Sequence, residues 1–300
     1  MAAKGPGTVL PDADGIAERW GLAPLPPAEP LEGGHKNTLL RCGDVVLRVE
    51  ERDPESVAWE HELTAFLSHD VPEVVTPLAA LDGSTFAETD GVVVSVLPFV
   101  AGSPLDRDDD AQRLGVARLL ARLHWVGRVW KRPRPDRPAF ADLDLEVNAW
   151  WDLRIVEMAP VLARAYERSR EWLAAAPLLG RGAVHGDIYR GNLRVRDGRI
   201  VGIVDWEDAR VDWPAWELAN ATWEVCKDEA RNRLDPERSA RFLDAYAEAE
   251  GPGELGPFDD LLRLRLVADA LYSLTAGARG EPWSREYVEH LLRALERTDD

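Results

Sequence analysis

The spacing of apolar residues changes about a third of the way along the chain, at the polar stretch 101–110 (AGSPLDRDDD). Before it, short apolar runs are broken by Gly-Asp and Asp-Gly pairs, which is typical of strands joined by tight turns. After it, apolar residues recur every three or four positions over long segments, which is typical of amphipathic helices. We therefore expect an α+β protein with a small antiparallel-sheet lobe over residues 1–100 and a larger, mostly helical lobe over residues 101–300.

Local patterns give the elements of each lobe. In the first, NTLLRCGDVVLRVE predicts a β-hairpin, and Ser56 is the expected N-cap of a helix over VAWEHELTAFL. In the second, DAQRLGVARLLARLHWV has the periodicity of a helix, and KRPRPDRP (residues 131–138) is typical of a surface loop. Further amphipathic helices are predicted near residues 146–176, 216–231, 235–250, 258–277 and 284–297.

The charge of the chain limits its partners. A net charge of -18 repels nucleic acid and anionic lipid, and no apolar run is long enough to span a membrane. The N-terminus lacks the apolar region of a secretory leader. Cys42 and Cys226 have no metal-site spacing and are expected to be free thiols. These features predict a cytoplasmic protein, monomeric or homodimeric, without nucleic-acid or membrane partners.

The stretch AVHGDIYRGNLRV (residues 183–195) holds the strongest candidate for chemistry. Asp187 and Asn192 are five residues apart, in the order His-x-Asp-x-x-x-x-Asn. Phosphoryl transfer to an alcohol uses a carboxylate that accepts the hydroxyl proton and Mg²⁺ that is held between the phosphates. Mg²⁺ takes few protein oxygens, so an amide and one more carboxylate can hold it.

That second carboxylate follows in LRVRDGRIVGIVDW, where Asp197-Gly198 favours a hairpin turn. Pairing about this turn puts Asn192 opposite Ile203, and Asp205 two residues further, about 7 Å along the strand. Asp187, Asn192 and Asp205 are therefore expected at one end of the hairpin. The alternative is that all three are ordinary polar loop residues.

The segments VHGDIYRGNLRV and GIVDWEDA resemble the aminoglycoside phosphotransferase and choline- and homoserine-kinase-like family of small-molecule kinases, relatives of the protein kinases. The resemblance implies a two-lobed protein-kinase-like fold, with Asp187 as the catalytic base and Asn192 and Asp205 as Mg²⁺ ligands. It also implies that His185 braces the catalytic loop. Glu217, in DWPAWELAN where the family usually has Asp, is a second bracing candidate.

The same resemblance gives candidates for binding ATP, with GTP as an alternative. In LEGGHKNTLL, Gly33 and Gly34 would let backbone N–H groups approach the phosphates. Arg48 in VVLRV stands where protein kinases have the phosphate-binding lysine, and Lys36 is a competing candidate.

Two further elements would complete the nucleotide site. Glu60 is the expected partner of the cation, and Glu62 is the alternative. The strand VVVSVLPFVAG resembles the connection between lobes, where adenine would bond to the Pro98 carbonyl and the Val100 amide. Proline fits a position where only the backbone carbonyl is used, as a hydrogen-bond acceptor, because proline has no backbone N–H to donate.

Alternating Trp and acidic residues after Asp205 form a candidate acceptor wall, since they could stack on a ring and pair with amines or hydroxyls. The alternative is that the Trp side chains belong to a helix core and the acids to a solvated face. The wall consists of Trp206, Glu207, Asp208, Asp212, Trp213, Trp216, Trp223 and Glu224.

The sequence thus predicts an ATP- and Mg²⁺-dependent kinase that phosphorylates a hydroxyl of a small molecule. The leading acceptor is an antibiotic, which would make the activity one of resistance. A metabolic kinase of homoserine or choline type is the alternative, followed by an ATP-binding regulator without turnover. A protein kinase is disfavoured because Trp-Glu, and not Phe-Gly, follows Asp205.

Overall fold

The computed structural model describes residues 13–31, 37–89, 91–139, 159–175, 178–230, 233–278 and 285–298. The chain divides into two compact units. The first comprises Met1–Ser103, Arg194–Arg196 and Val201–Val204, and the second Pro104–Leu193, Asp197–Ile200 and Asp205–Asp300. In the described parts of the chain, no helix is long and apolar enough to cross a membrane.

The elements of the first unit are α1 (Ala13–Trp20), β1 (Glu29–Pro30), β2 (Thr38–Cys42), β3 (Val45–Glu50), α2 (Pro54–Ser68), β4 (Phe86–Thr89) and β5 (Val92–Pro98). Its strands form an antiparallel sheet with the order β1-β2-β3-β5-β4. The predicted hairpin is confirmed, because β2 and β3 flank a two-residue turn in which Gly43 has a φ of +64°. Buried side chains of β2, β3 and β5 pack against helix α1.

Helix α2 begins two residues earlier than the predicted cap at Ser56. Its N-cap is Asp53, whose carboxylate accepts a hydrogen bond from the Glu55 backbone N–H at 2.8 Å. Pro54 occupies the first helical position, where its fixed φ suits the helix and its missing N–H has no intrahelical role. Ser56 lies inside the helix and is buried. The prediction of Ser56 as the cap was therefore wrong.

The second unit is mainly helical. Its elements are α3 (Asp110–Gly127), α4 (Pro160–Ala174), β7 (Gly182–Val184), β10 (Arg210–Asp212), α5 (Pro214–Cys226), β11 (Lys227–Asp228), β12 (Arg233–Leu234), α6 (Pro236–Glu248), α7 (Phe258–Ala278) and α8 (Arg285–Thr298). The predicted helix near 146–176 is described only from residue 159 onward. The helix predicted to reach 231 ends at Cys226, because the chain turns extended at Lys227 and pairs as β11 with β12.

The core of the second unit forms where α4, α5, α7 and α8 meet. Trp213, Trp216 and Trp223 contribute to it from α5 and the residue before it. Leu264 and Leu271 contribute from α7. Helix α5 is buried along nearly its whole length, which places it at the centre of this unit.

The hairpin predicted around Asp197-Gly198 is present. Strands β8 (Leu193–Arg196) and β9 (Arg199–Ile203) are neighbours in a three-stranded sheet, with β6 (Ser103–Pro104) beside β8. Asp197 and Gly198 have φ values of +52° and +72°, as expected of a type I′ turn. Asn192 directly precedes β8, and Asp205 follows β9 by two residues. The hairpin therefore brings both residues to the same end.

Candidate active site

Two loops of the second unit are held together by a short strand pair. Strands β7 and β10 pair antiparallel, with Val184 opposite Arg210. The loop 185–187 follows β7, and the loop 205–209 leads into β10. Gly186 lies where the loops touch: its φ is +86°, and a Cβ there would lie 2.2 Å from the Asp208 carbonyl oxygen. A glycine is required for this approach.

Asp187 and Asn192 contact each other directly. The Asn192 side-chain amide nitrogen donates to the Asp187 carboxylate Oδ2 at 3.1 Å and to the Asp187 carbonyl oxygen at 2.9 Å. Asn192 is buried and ends a 3₁₀ turn. Because the nitrogen is committed to Asp187, the amide oxygen is the atom that remains for a cation.

Asp205 supplies a second carboxylate at the end of the hairpin. It is half-buried and has a φ of +66°, an uncommon conformation for a residue other than glycine. Among the described residues, no group of three or more His, Cys, Asp or Glu side chains could hold a metal ion. The Asn192 amide oxygen and the Asp205 carboxylate are hard oxygen donors that fit Mg²⁺, which completes its shell with water and phosphate.

The environment of Asp187 makes it a stronger base than an exposed aspartate. Burial raises the pKa of its carboxyl group, and the negative charges of Asp208 and Glu224 add to this shift. The charge of Arg265 opposes the rise in the Asp187 pKa without cancelling it. A carboxylate with a raised pKa accepts a hydroxyl proton more readily. Arg265 lies on α7, and the sequence pattern gave no signal that it would be near the loop.

Glu217 is hydrogen-bonded to the loop 185–187, which bears Asp187. Its carboxylate is fully buried and accepts hydrogen bonds from the backbone N–H of His185 at 3.1 Å and of Gly186 at 2.5 Å. His124 Nε2 contacts the same carboxylate at 2.8 Å. Burial alone would raise the Glu217 pKa, but these hydrogen bonds hold it below its ordinary value. The carboxylate therefore stays ionised and fixes the loop backbone.

His124 and Tyr246 extend this network, and the sequence analysis missed both. The Gly253 backbone N–H donates to Tyr246 Oη at 2.8 Å, and Tyr246 Oη lies 2.8 Å from His124 Nδ1. The tyrosine hydroxyl can then donate to Nδ1, so the imidazole carries its proton on Nε2 and donates it to Glu217. His124 lies in DAQRLGVARLLARLHWV, where the sequence indicates a helix and no polar partner.

His185 is buried, as expected of a bracing residue, and its Nδ1 accepts from the Asp187 N–H at 3.2 Å. Its ring packs on Trp206 with the centroids 4.6 Å apart. Trp206 is therefore an internal residue, and the same holds for Asp212 and Trp216. Arg210 Nε pairs with Asp212 at 2.7 Å and the Arg210 guanidinium lies 5.0 Å from the Trp216 ring. These contacts correct the expectation that Trp206, Asp212 and Trp216 form an acceptor wall.

The other members of that wall divide into two groups. Trp213 and Trp223 belong to the hydrophobic core. Glu207, Asp208 and Glu224 are half-buried. Only these three acidic residues of the wall keep side-chain surface that an acceptor could contact.

The first unit contains a buried ion cluster on β3 and α2. The expected pair is present, with Arg48 Nη1 2.7 Å from Glu60 Oε1. Arg48 also lies 3.1 Å from Glu50 Oε1 and 3.2 Å from His61 Nε2. Arg52 pairs with Glu50 at 2.5 Å and with Glu60 at 2.6 Å. Glu50 could have been predicted, because residues two apart on a strand share a face.

Charge in this cluster displaces two pKa values. Burial would raise the Glu60 pKa, but Arg48 and Arg52 hold it far below its ordinary value. Burial and the charge of Arg48 lower the His61 pKa to about 3. Between that value and 6.5, the unfolded chain binds a proton at His61 that the folded chain does not. His61 therefore makes folding less stable as the pH falls through this range.

The structure describes only some of the other residues that were predicted to bind the nucleotide or to pair with the cation. Gly33, Gly34 and Lys36 lie outside the described residues. Glu62, the alternative partner of the cation, is exposed.

Pro98 ends β5, and Val100 lies two residues beyond it, so their role in binding the base stays a prediction. The intervening Phe99 donates its N–H to the Asp44 carbonyl oxygen at 2.8 Å, toward β3. The carbonyl on the other side of the same trans peptide unit, that of Pro98, therefore faces away from β3. The Val96 carbonyl, which shares that edge, accepts from Leu78 N–H at 2.7 Å.

Comparison with known proteins finds homoserine kinases that are similar to this chain in sequence. The homoserine kinase of Polaromonas naphthalenivorans is 26% identical over 183 residues, covering 58% of this chain and 55% of that protein. The chain thus spans about half of that relative's length. The homoserine kinase of Pseudomonas aeruginosa (strain UCBPP-PA14) is 29% identical over 224 residues, covering 73% of this chain and 70% of that protein.

Solved structures and a family model agree on the fold. Amicoumacin kinase hAmiN, solved with AMP-PNP, Ca²⁺ and Ami, has a TM-score of 0.71 at 15% identity, covering 96% of this chain and 92% of that one. This likeness confirms the two-lobed, protein-kinase-like α+β fold. The model of the phosphotransferase enzyme family matches residues 27–267. The chain therefore belongs to the phosphotransferase enzyme family, the family of small-molecule kinases that its loop motifs resemble.

Proposed function

We propose that the protein is an ATP- and Mg²⁺-dependent kinase that transfers the γ-phosphate to a hydroxyl group of a small molecule. The observation that carries this proposal is the contact between Asn192 and the Asp187 carboxylate, next to the hairpin end that bears Asp205. It joins a base of raised pKa to a set of oxygen donors suited to Mg²⁺.

In this proposal Asp187 accepts the proton of the acceptor hydroxyl while that oxygen attacks the γ-phosphorus. The bond from the γ-phosphorus to the bridging oxygen breaks, and ADP leaves with the electron pair. Asn192 and Asp205 would hold Mg²⁺, which would neutralise charge on the phosphates. Glu217, through the N–H groups of His185 and Gly186, keeps the loop that carries Asp187 in place.

The charges near Asp187 support an acceptor of mixed charge. Asp208 and Glu224 are negative and suit an amine, and they also pair with Arg137 and Lys227. Arg265 is positive and suits a carboxylate. Its Nε donates to Asn220 Oδ1 at 2.6 Å and its Nη1 pairs with Asp269, which together fix the direction of the guanidinium. An amino acid with a hydroxyl side chain carries both charges. This observation favours the homoserine-type alternative over a purely cationic antibiotic.

The test is a panel of acceptors with Mg-ATP: hydroxyl amino acids, choline, sugars, and antibiotics that bear hydroxyl groups. ADP release is followed, and the product is identified by ³¹P NMR as a phosphate monoester. We expect turnover with a hydroxyl amino acid. Turnover with an antibiotic alone would restore the resistance interpretation, and nucleotide binding without turnover on any acceptor would favour a regulator.

A variant tests whether Arg265 binds the carboxylate of a hydroxyl amino acid. Arg265→Gln removes the cation and should raise the KM for a hydroxyl amino acid by about tenfold or more, since a charge-assisted contact contributes roughly 1.5–3 kcal/mol. The KM for ATP should remain unchanged. An unchanged acceptor KM would show that Arg265 does not bind the carboxylate.

A further inference from the structure

The Pro- and Arg-rich segment 131–138 is the surface loop that the sequence predicts, and only its central arginine is buried. Arg134 is 4% exposed although the segment is a loop. A buried guanidinium keeps its charge and needs acceptors for its N–H groups. The positions of those acceptors suggest what the segment does.

Arg134 binds the backbone of the loop 205–209. Its Nη1 donates to the carbonyl oxygens of Glu207 at 2.6 Å and Ala209 at 2.9 Å. Its Nε and Nη2 donate to the Asp136 carboxylate at 2.6 Å and 3.4 Å. The planar guanidinium therefore joins an anion on its own segment to two carbonyls on the other loop, a geometry that lysine lacks.

The Asp208 carbonyl, which lies between those of Glu207 and Ala209 in sequence, also has an arginine partner. Arg210 Nη1 donates to the Asp208 carbonyl oxygen at 3.2 Å. Arg137 Nη2 lies 2.5 Å from Asp208 Oδ1. Three consecutive carbonyls, those of residues 207–209, are thus bound by the guanidinium groups of Arg134 and Arg210. This backbone has little freedom to change direction.

Such support is needed where the loop begins, at Asp205. A φ of +66° for an aspartate persists only when surrounding contacts fix it. The arginine contacts lie two to four residues further along the same loop. Freeing those carbonyls would let the loop relax and turn the Asp205 carboxylate.

We propose that Arg134 is a positioning residue that holds the loop 205–209 and so sets the direction in which Asp205 presents its carboxylate to the metal. This inference rests on the proposed function, because it takes Asp205 as a metal ligand. Arg134 acts through the backbone carbonyls of Glu207 and Ala209.

The test is Mn²⁺ binding to the full chain with ADP, measured by loss of the paramagnetic resonance signal of free Mn²⁺. Arg134→Met should weaken Mn²⁺ binding about 10- to 100-fold, the range seen when residues that orient metal ligands are changed. Arg134→Lys keeps the charge and should restore part of the affinity. ADP binding without metal should stay the same, as should Mn²⁺ binding in Arg170→Met, a matched change at an exposed pair with Glu167.

A milder variant covers the case in which Arg134→Met does not fold. Asp136 is 36% exposed through its side chain, so Asp136→Ala should fold while removing the anion that orients Arg134. We expect it to weaken Mn²⁺ binding in the same direction, by less. Wild-type Mn²⁺ affinity in folded Arg134→Met, or in Asp136→Ala if Arg134→Met is unfolded, overturns the proposal.

Asp205→Ala separates this failure from a failure of the proposed function. If Asp205→Ala loses Mn²⁺ binding and Arg134→Met retains it, the positioning role alone is wrong. If Asp205→Ala retains wild-type Mn²⁺ affinity, the assignment of the metal to Asp205 is wrong, and the positioning role fails with it.

Discussion

Replacing Glu217 by glutamine tests how strongly the second unit fixes the catalytic loop. The change keeps the size of the side chain and alters only its hydrogen bonding. Oε1 accepts from Gly186 N–H, and Oε2 accepts from His185 N–H and His124 Nε2–H. A glutamine has one oxygen, so its NH₂ group must face at least one of these donors.

The magnitude follows from those contacts. A hydrogen bond to a charged group contributes about 1.5–3 kcal/mol, and a buried donor without a partner costs about 1–3 kcal/mol more. The total for Glu217→Gln is about 3–5 kcal/mol, the range seen when one member of a buried charged pair is removed. At about 2–4 °C per kcal/mol for a domain of this size, Tm should fall by roughly 6–20 °C.

Activity should fall as well, because His185 and Gly186 directly precede Asp187. Displacement of a catalytic group by about 1 Å can lower the rate about 100-fold. The assays are differential scanning calorimetry and kcat measured at saturating substrate, at a temperature where the variant is folded. The control is Glu248→Gln, an exposed glutamate near the end of α6. A Glu217→Gln variant with the Tm and kcat of the wild type would refute the bracing role.

Three further outcomes are expected. Arg48→Met leaves Arg52 as the remaining arginine partner of the buried Glu50 and Glu60; at about 3 kcal/mol, the low end for breaking a buried charged pair, Tm should fall by roughly 6–12 °C, and an unchanged Tm in calorimetry would count against the buried ion cluster. His61→Gln should reduce the loss of unfolding free energy on acidification from pH 6.5 toward about pH 3, by at most about 1.4 kcal/mol per pH unit, in urea unfolding; equal slopes would contradict a neutral folded His61. Gly186→Ala should lower kcat and Tm far more than Gly198→Ala, because both have positive φ but a Cβ meets a carbonyl only at Gly186; equal effects would contradict that contact.

The candidate site could be predicted because its chemistry is local in sequence. Asp187 and Asn192 are five residues apart, and a two-residue turn at Asp197-Gly198 fixes where Asp205 must lie. Turn type and strand alternation follow from short-range sterics, so the sequence determines them without knowledge of the core. The Arg48–Glu60 pair needed the family resemblance, since β3 and α2 are separate elements.

Contacts between distant segments could not be predicted. The Arg134–Glu207, His124–Glu217 and His124–Tyr246 contacts join residues 73, 93 and 122 positions apart. Nothing in the local pattern of LGVARLLARLH or KRPRPDRP indicates a polar partner. Tertiary packing alone decides where such side chains point.

The exposure of the predicted acceptor wall was overestimated for a related reason. Helix α5 is buried on nearly all sides, so its Trp and acidic residues do not separate into an apolar and a solvent face. Trp216 and Glu217 are adjacent and both buried, one in the core and the other under the catalytic loop. Alternation of Trp and acid therefore did not indicate an exposed surface.

Asp187 is proposed to serve proton transfer, and Asn192 and Asp205 to serve the metal. The most direct test compares Asp187→Asn and Asp205→Asn in one experiment, measuring Mn²⁺ binding with ADP and single-turnover phosphoryl transfer from ATP to the acceptor. We expect Asp187→Asn to bind Mn²⁺ and lose roughly 10²–10⁴ in rate, the contribution typical of a general base. Asp205→Asn should lose Mn²⁺ binding. Equal Mn²⁺ affinities in the two variants, or an unchanged rate in Asp187→Asn, would contradict the claim.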